Sequence, residues 1–176
     1  MAELVTTRRD LLMAPMLALP TALLAGTFES RAAAATQVDP SMTIVRLPSE
    51  ISWETPPGFP PDSVEMAPLW GKTSEAGLYY TLVKWHPGYM SAPHWYVTDR
   101  YCVVVSGTWW VASGEDFAAE NTMPAPAGTF VRRVAKTPHY DGVKKGGAEP
   151  AVIAICGIGP IKLILNDATK PAWREV

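Results

Sequence analysis

From about residue 44 onward, short runs of β-branched and aromatic residues alternate with prolines and glycines. No apolar run keeps a helical period over the roughly twelve residues a helix needs. Residues 77 to 86 show the pattern best. Alternation puts Tyr80, Leu82, Lys84 and His86 on one face and Tyr79, Thr81, Val83 and Trp85 on the other, which predicts a long strand. Pro87-Gly88 breaks it, and a second strand is expected over residues 100 to 112, with valines 103 to 105 at its centre. Residues 117 to 126 have no period and read as a loop. Residues 128 to 135 alternate again, His139 opens the next strand after Thr137-Pro138, 144 to 147 form an exposed turn, and 151 to 156 make an apolar strand. Upstream, residues 43 to 47 suggest an edge strand, and Pro56, Pro57, Pro60 and Pro61 an ordered surface loop. About eight short strands with regular turns predict an all-β barrel or sandwich.

Composition narrows this. With 176 residues and 48% hydrophobic content the chain can bury one sizeable core. A net charge of −2 supplies no basic field for a nucleic acid, and no long internal repeat points to a solenoid. The first 35 residues differ from the rest. Arg8 and Arg9 precede an apolar stretch over residues 11 to 25 that is interrupted by Pro15 and Pro20, and alanines 32 to 35 follow. That order is similar to a twin-arginine export signal with a signal-peptidase site. The stretch is shorter than the roughly 20 residues that span a bilayer, so no stable membrane anchor is expected. Cleavage near residue 35 would leave about 140 residues, the size of one domain, in the periplasm or outside the cell.

Two stretches carry a family resemblance. Gly88, His94, Tyr96, Arg100 and Gly107 keep the spacing of the first cupin motif, whose full form has a second histidine where Tyr96 stands and a glutamate where Arg100 stands. Gly128 and His139 match the second cupin motif, while Val134, Lys136 and Val143 replace its proline, inner glycine and asparagine. Residues 75 to 165 thus resemble a small single-domain cupin, which implies a jelly-roll barrel. The expected organisation is a signal peptide over 1–35, an arm with a proline-rich loop over 36–74, the barrel over 75–165 and a C-terminal tail over 166–176.

The resemblance implies a metal site built on His94 and His139, with Tyr96 as ligand or proton carrier; His86, two residues before Gly88, either completes a three-histidine set at the pocket rim or is hydrogen-bonded to a turn at its strand end. Iron, manganese, copper, nickel and zinc are not distinguished. Arg100 opposes this, because a unit charge about 4 Å from a cation costs roughly 4 kcal/mol at an effective dielectric of 20. Arg100 turns away, or Asp99 neutralises it, or the pocket binds an anion. Two functional expectations follow: an exported metal-dependent enzyme acting on a small organic molecule, in which Arg100 clamps a substrate anion, or a non-catalytic barrel in which Arg100, Lys84 and Tyr96 hold an anionic ligand. Trp85, Trp95, Trp109 and Trp110 wall a pocket or serve the core. Trp109 and Trp110 must face opposite ways, and the outward one suggests a homodimer surface. Cys102 and Cys156 either pair, stay as free thiols or bind metal.

Overall fold

The computed structural model describes residues 38–176; the twin arginines, the apolar stretch and the cleavage region lie outside the described residues. Contacts within the chain separate Met1–Ile44 from Val45–Val176, and all strands of the described residues lie in the second unit.

The alternation in residues 77 to 86 is realised in β2 (Gly77–Trp85). Tyr79, Thr81, Val83 and Trp85 are buried, whereas Leu78 and Tyr80 are exposed. β2 lies between β1 (Val64–Trp70) and β10 (Ala151–Gly159), and β5 (Arg100–Ser106) and β8 (Phe130–Arg133) complete an antiparallel sheet in the order β1-β2-β10-β5-β8. A second sheet runs β11 (Ile164–Leu165), β4 (His94–Trp95), β9 (His139–Val143), β3 (Tyr89–Ser91) and β12 (Trp173–Glu175). β6 (Thr108–Ser113) pairs with β9 and with β7 (Met123–Pro126). Inward residues of both sheets, among them Tyr79, Val104, Ile153, Trp109 and Val143, form one core.

Gly107 must be glycine for two reasons. Its φ is +70°, and a Cβ there would lie 2.4 Å from the Pro150 carbonyl oxygen. Gly88, which opens the first motif, has φ +92°.

Several elements differ from the sequence expectation. Residues 43 to 47 form no strand; Ile44, Val45 and Leu47 are exposed. The supposed loop over 117 to 126 ends in β7, which tolerates Pro124 and Pro126 because among the described strands it pairs with β6 alone. β1 was hidden by Pro68, which an edge strand also accepts. The sheets extend past residues 75 to 165 at both ends, since β1 precedes that range and β12, inside the expected tail, pairs with β3. The proline-rich segment is not merely surface: Pro56 and Phe59 help to close the cavity described next.

Candidate functional site

Alternation along β5 sends Arg100, Cys102 and Val104 inward and Tyr101, Val103 and Val105 outward. Inside lies a cavity of about 270 Å³, walled by apolar side chains such as Val64, Trp85, Ile153 and Ile155. Its polar groups are Ser91, His94, Tyr96, Arg100, Arg133 and Asp141, with Trp109 beside them.

Arg100 is buried, and it stands directly opposite Arg133 in the β5–β8 register. Arg133 is compensated: it donates to Asp141 Oδ2 at 3.0 Å and to the Ala112 carbonyl oxygen at 3.1 Å. Arg100 is not. Among the described residues it has no carboxylate within ion-pairing distance, its Nε–H is buried without a partner, and its guanidinium lies 4.3 Å from the centre of the Tyr96 ring. A guanidinium stays charged at any working pH. Asp99, the neighbour that the sequence offered as its counterion, instead accepts from Arg132 Nε at 2.8 Å and from the Ala135 N–H at 2.8 Å. The cavity wall therefore holds two arginines and one carboxylate.

His94 and His139 are brought together by pairing of β4 with β9, and their ring centres are 4.5 Å apart. His94 lies in the cavity wall, while His139 packs against it and is buried. Each ring uses Nδ1 for a backbone carbonyl, His94 to Ala92 at 2.8 Å and His139 to Thr137 at 2.9 Å. A carbonyl only accepts, so Nδ1 carries the proton and Nε2 the lone pair. Burial pushes both imidazoles below their ordinary range, His139 to about 3 with help from His94, so both are neutral. Nε2 of His139 has no partner.

This donor set fits a retained metal ion poorly. Two neutral imidazoles are correctly oriented, but burial raises the Tyr96 phenol and so disfavours the phenolate needed for ligation. Asp141 is engaged by Arg133 and by Trp109 Nε1 at 3.1 Å. Among the described residues no group of three or more histidine, cysteine, aspartate or glutamate side chains is placed to hold a metal.

His86 does not join the cavity wall. The outward alternation of β2 continues to it, and its Nε2 lies 2.9 Å from Glu65 Oε2, which also accepts from Lys84 at 2.8 Å. Lys84 is thereby taken from the anion-holding role as well; it sits 4.0 Å over the Trp53 ring. Cys102 and Cys156 are free thiols on opposite faces of the sheet, and burial pushes Cys102 up to about 11. Arg133 and Asp141 were missed in the sequence. Asp141 follows His139 by two on one strand, a spacing that would have put both on one face; nothing local marks Arg133.

No protein-family model matches the chain, and no curated protein matches it by sequence. Solved structures do resemble it. The polyketide cyclase RemF from Streptomyces resistomycificus superposes with a TM-score of 0.59 at 11% identity, covering 74% of this chain and 90% of that one. A cupin-2 domain from Rhodospirillum rubrum gives 0.53 at 12% identity over 72% and 82%. The fold is that of a cupin. The DMSP lyase DddQ from Ruegeria pomeroyi gives 0.52 at 12% identity over 66% of this chain and 61% of that one. Cupin neighbours of this fold thus include enzymes, but identities this low carry the architecture and not an activity.

Proposed function

We propose that this cupin binds a small organic anion in its barrel, the anionic group meeting Arg100 and the apolar body resting against Trp85 and the isoleucines of β10. The single observation that supports this reading is the uncompensated, buried Arg100 opposite Arg133. A buried charge without a counterion is costly, and an anionic ligand removes that cost while forming charge-assisted hydrogen bonds. A cavity of about 270 Å³ is near the small end of ligand sites, which run from roughly 300 to 1,000 Å³. We further propose export by the twin-arginine route, placing the anion-binding barrel in the periplasm or outside the cell.

The metal-dependent enzyme is the second reading, favoured by one observation: the adjacent His94 and His139, each with a free Nε2 lone pair. The incomplete donor set and the nearby arginines count against it.

Calorimetric titration with benzoate and with its neutral analogue benzamide tests the anion reading. Benzoate should bind and benzamide should not, and Arg100→Gln should weaken benzoate by about 10-fold or more, the value of a hydrogen bond to a charged group. Equal binding of acid and amide, or an Arg100→Gln variant that binds as the wild type does, overturns it. Metal analysis of protein purified without a histidine tag tests the second reading; a stoichiometric metal lost in His94→Ala would restore it.

A further inference from the structure

The cavity presents more than a positive charge. Arg100 and His94 enter it from strands of different sheets, Arg100 from β5 and His94 from β4. The Tyr96 ring borders both, its centre 4.3 Å from the Arg100 guanidinium and 5.3 Å from the centre of the His94 ring, so one small molecule can reach the two at once. Their chemistry is opposite. A guanidinium only donates hydrogen bonds. His94 donates its Nδ1–H to the Ala92 carbonyl oxygen at 2.8 Å, which leaves Nε2 able only to accept. Among the described residues nothing supplies that acceptor with a donor. The neighbouring His139 is held in the same tautomer by the Thr137 carbonyl, so its own Nε2 is a second acceptor. Nε2 of His139 is enclosed by protein, whereas His94 lines the cavity and its Nε2 is not shut off in that way. A third wall is apolar. Gly157 stands opposite Arg100 on β10, and Ile155 and Ile153 continue along the same strand, with Trp85 also in the lining.

We infer that the bound anion is a 2-hydroxy carboxylate whose carboxylate meets Arg100, whose hydroxyl donates to His94 Nε2 and whose apolar substituent lies along Ile155, Ile153 and Trp85. This names the ligand class of the anion site proposed above and rests on that reading. The span across one phenol ring suits a hydroxyl on the carbon next to the carboxylate. An acid without the hydroxyl leaves His94 Nε2 without a donor, and a 2-oxo acid sets a second acceptor against it. A site built to pair with a hydroxyl rejects the analogue lacking it, because its own polar group is then left unpaired. Carboxylate, hydroxyl and apolar substituent share one tetrahedral carbon and each meets a different fixed wall, so the site accepts one hand of that carbon.

The test is calorimetric titration of chelator-treated protein with mandelate, phenylacetate and phenylglyoxylate, which share a carboxylate and a phenyl ring and differ only at the carbon between them. One enantiomer of mandelate should bind about 5-fold or more tighter than phenylacetate, the worth of one neutral hydrogen bond, and tighter than its mirror image. Phenylglyoxylate should bind most weakly. His94→Leu should bring the ratio of mandelate to phenylacetate affinity to about one, and Arg100→Gln should weaken every acid. If His94→Leu does not fold, the three acids on the wild type decide, since their size hardly changes. Equal binding of mandelate and phenylacetate, with both lost in Arg100→Gln, overturns this inference and leaves the anion reading standing. Failure of all three acids where benzoate binds does the same, and failure of benzoate as well overturns both. Equal affinity for the two mandelate enantiomers, tighter binding of phenylglyoxylate than of mandelate, or a preference for mandelate that arises only after a divalent metal is added would each overturn the inference.

Discussion

Arg100 and Arg133 face each other across β5 and β8, both buried, and only Arg133 has a carboxylate. Like charges placed directly opposite in a sheet are destabilising, so this wall costs the ligand-free barrel stability. Replacing Arg100 by methionine should raise stability by about 1–3 kcal/mol, since an apolar residue of similar length removes an uncompensated charge. Urea unfolding of the ligand-free protein checks this. A lower stability would mean that Arg100 finds compensation inside the folded chain. Arg100→Glu should in addition create zinc binding beside His94 and His139, detectable by metal analysis after zinc loading.

Asp141 should behave in the opposite sense. It accepts from Arg133 at 3.0 Å and from Trp109 Nε1 at 3.1 Å. Asp141→Asn strands Arg133 in the interior and should cost about 3–5 kcal/mol. Arg133→Met combined with Asp141→Leu should recover much of that loss. A double-mutant cycle by urea unfolding measures the coupling, and additive single effects would argue against the pair.

Acid should destabilise the barrel through the histidine pair. His139 titrates at about 3 in the folded protein and His94 is also lowered, both chiefly by burial, against about 6.5 in an unfolded chain. Below pH 6.5 the unfolded chain takes up protons that the folded chain refuses. Stability is therefore full above about 6.5 and falls as the pH drops, for His139 by up to about 1.4 kcal/mol per pH unit down to about pH 3, with His94 adding to the fall in the same direction. Asp141, whose burial is outweighed by Arg133 so that its carboxyl is lowered, adds to the loss at the acid end. His139→Leu should flatten the slope between pH 6 and 4, and an unchanged slope would remove His139 as its source.

Replacing Arg8 and Arg9 together by lysine should leave the protein in the cytoplasm, because the twin-arginine reading depends on that pair. Cell fractionation followed by blotting decides the matter. Undiminished appearance of the double variant in the periplasm would remove this route.

The sequence alone determined what depends on neighbours along the chain. Period-two alternation put Tyr79, Thr81, Val83 and Trp85 inside and Tyr80 and Leu82 on the other face, and the structure keeps that division because successive strand residues must point to opposite sides. Gly88 could be placed at a turn because its backbone conformation favours glycine, whereas the run over 100 to 112, expected as one strand, is split at Gly107 into β5 and β6 of different sheets. Whether Arg100 pointed inward or turned away stayed open in the sequence, and alternation along β5 sends it inward. What the sequence could not supply was the partner of each inward group. Arg133 opposite Arg100, Asp141 clamped to Arg133, Asp99 drawn off to Arg132, and His86 held outside by Glu65 all depend on strand register and sheet closure. Those are fixed by the burial of the whole core at once, so only the tertiary structure decided that Arg100 would be left without a counterion.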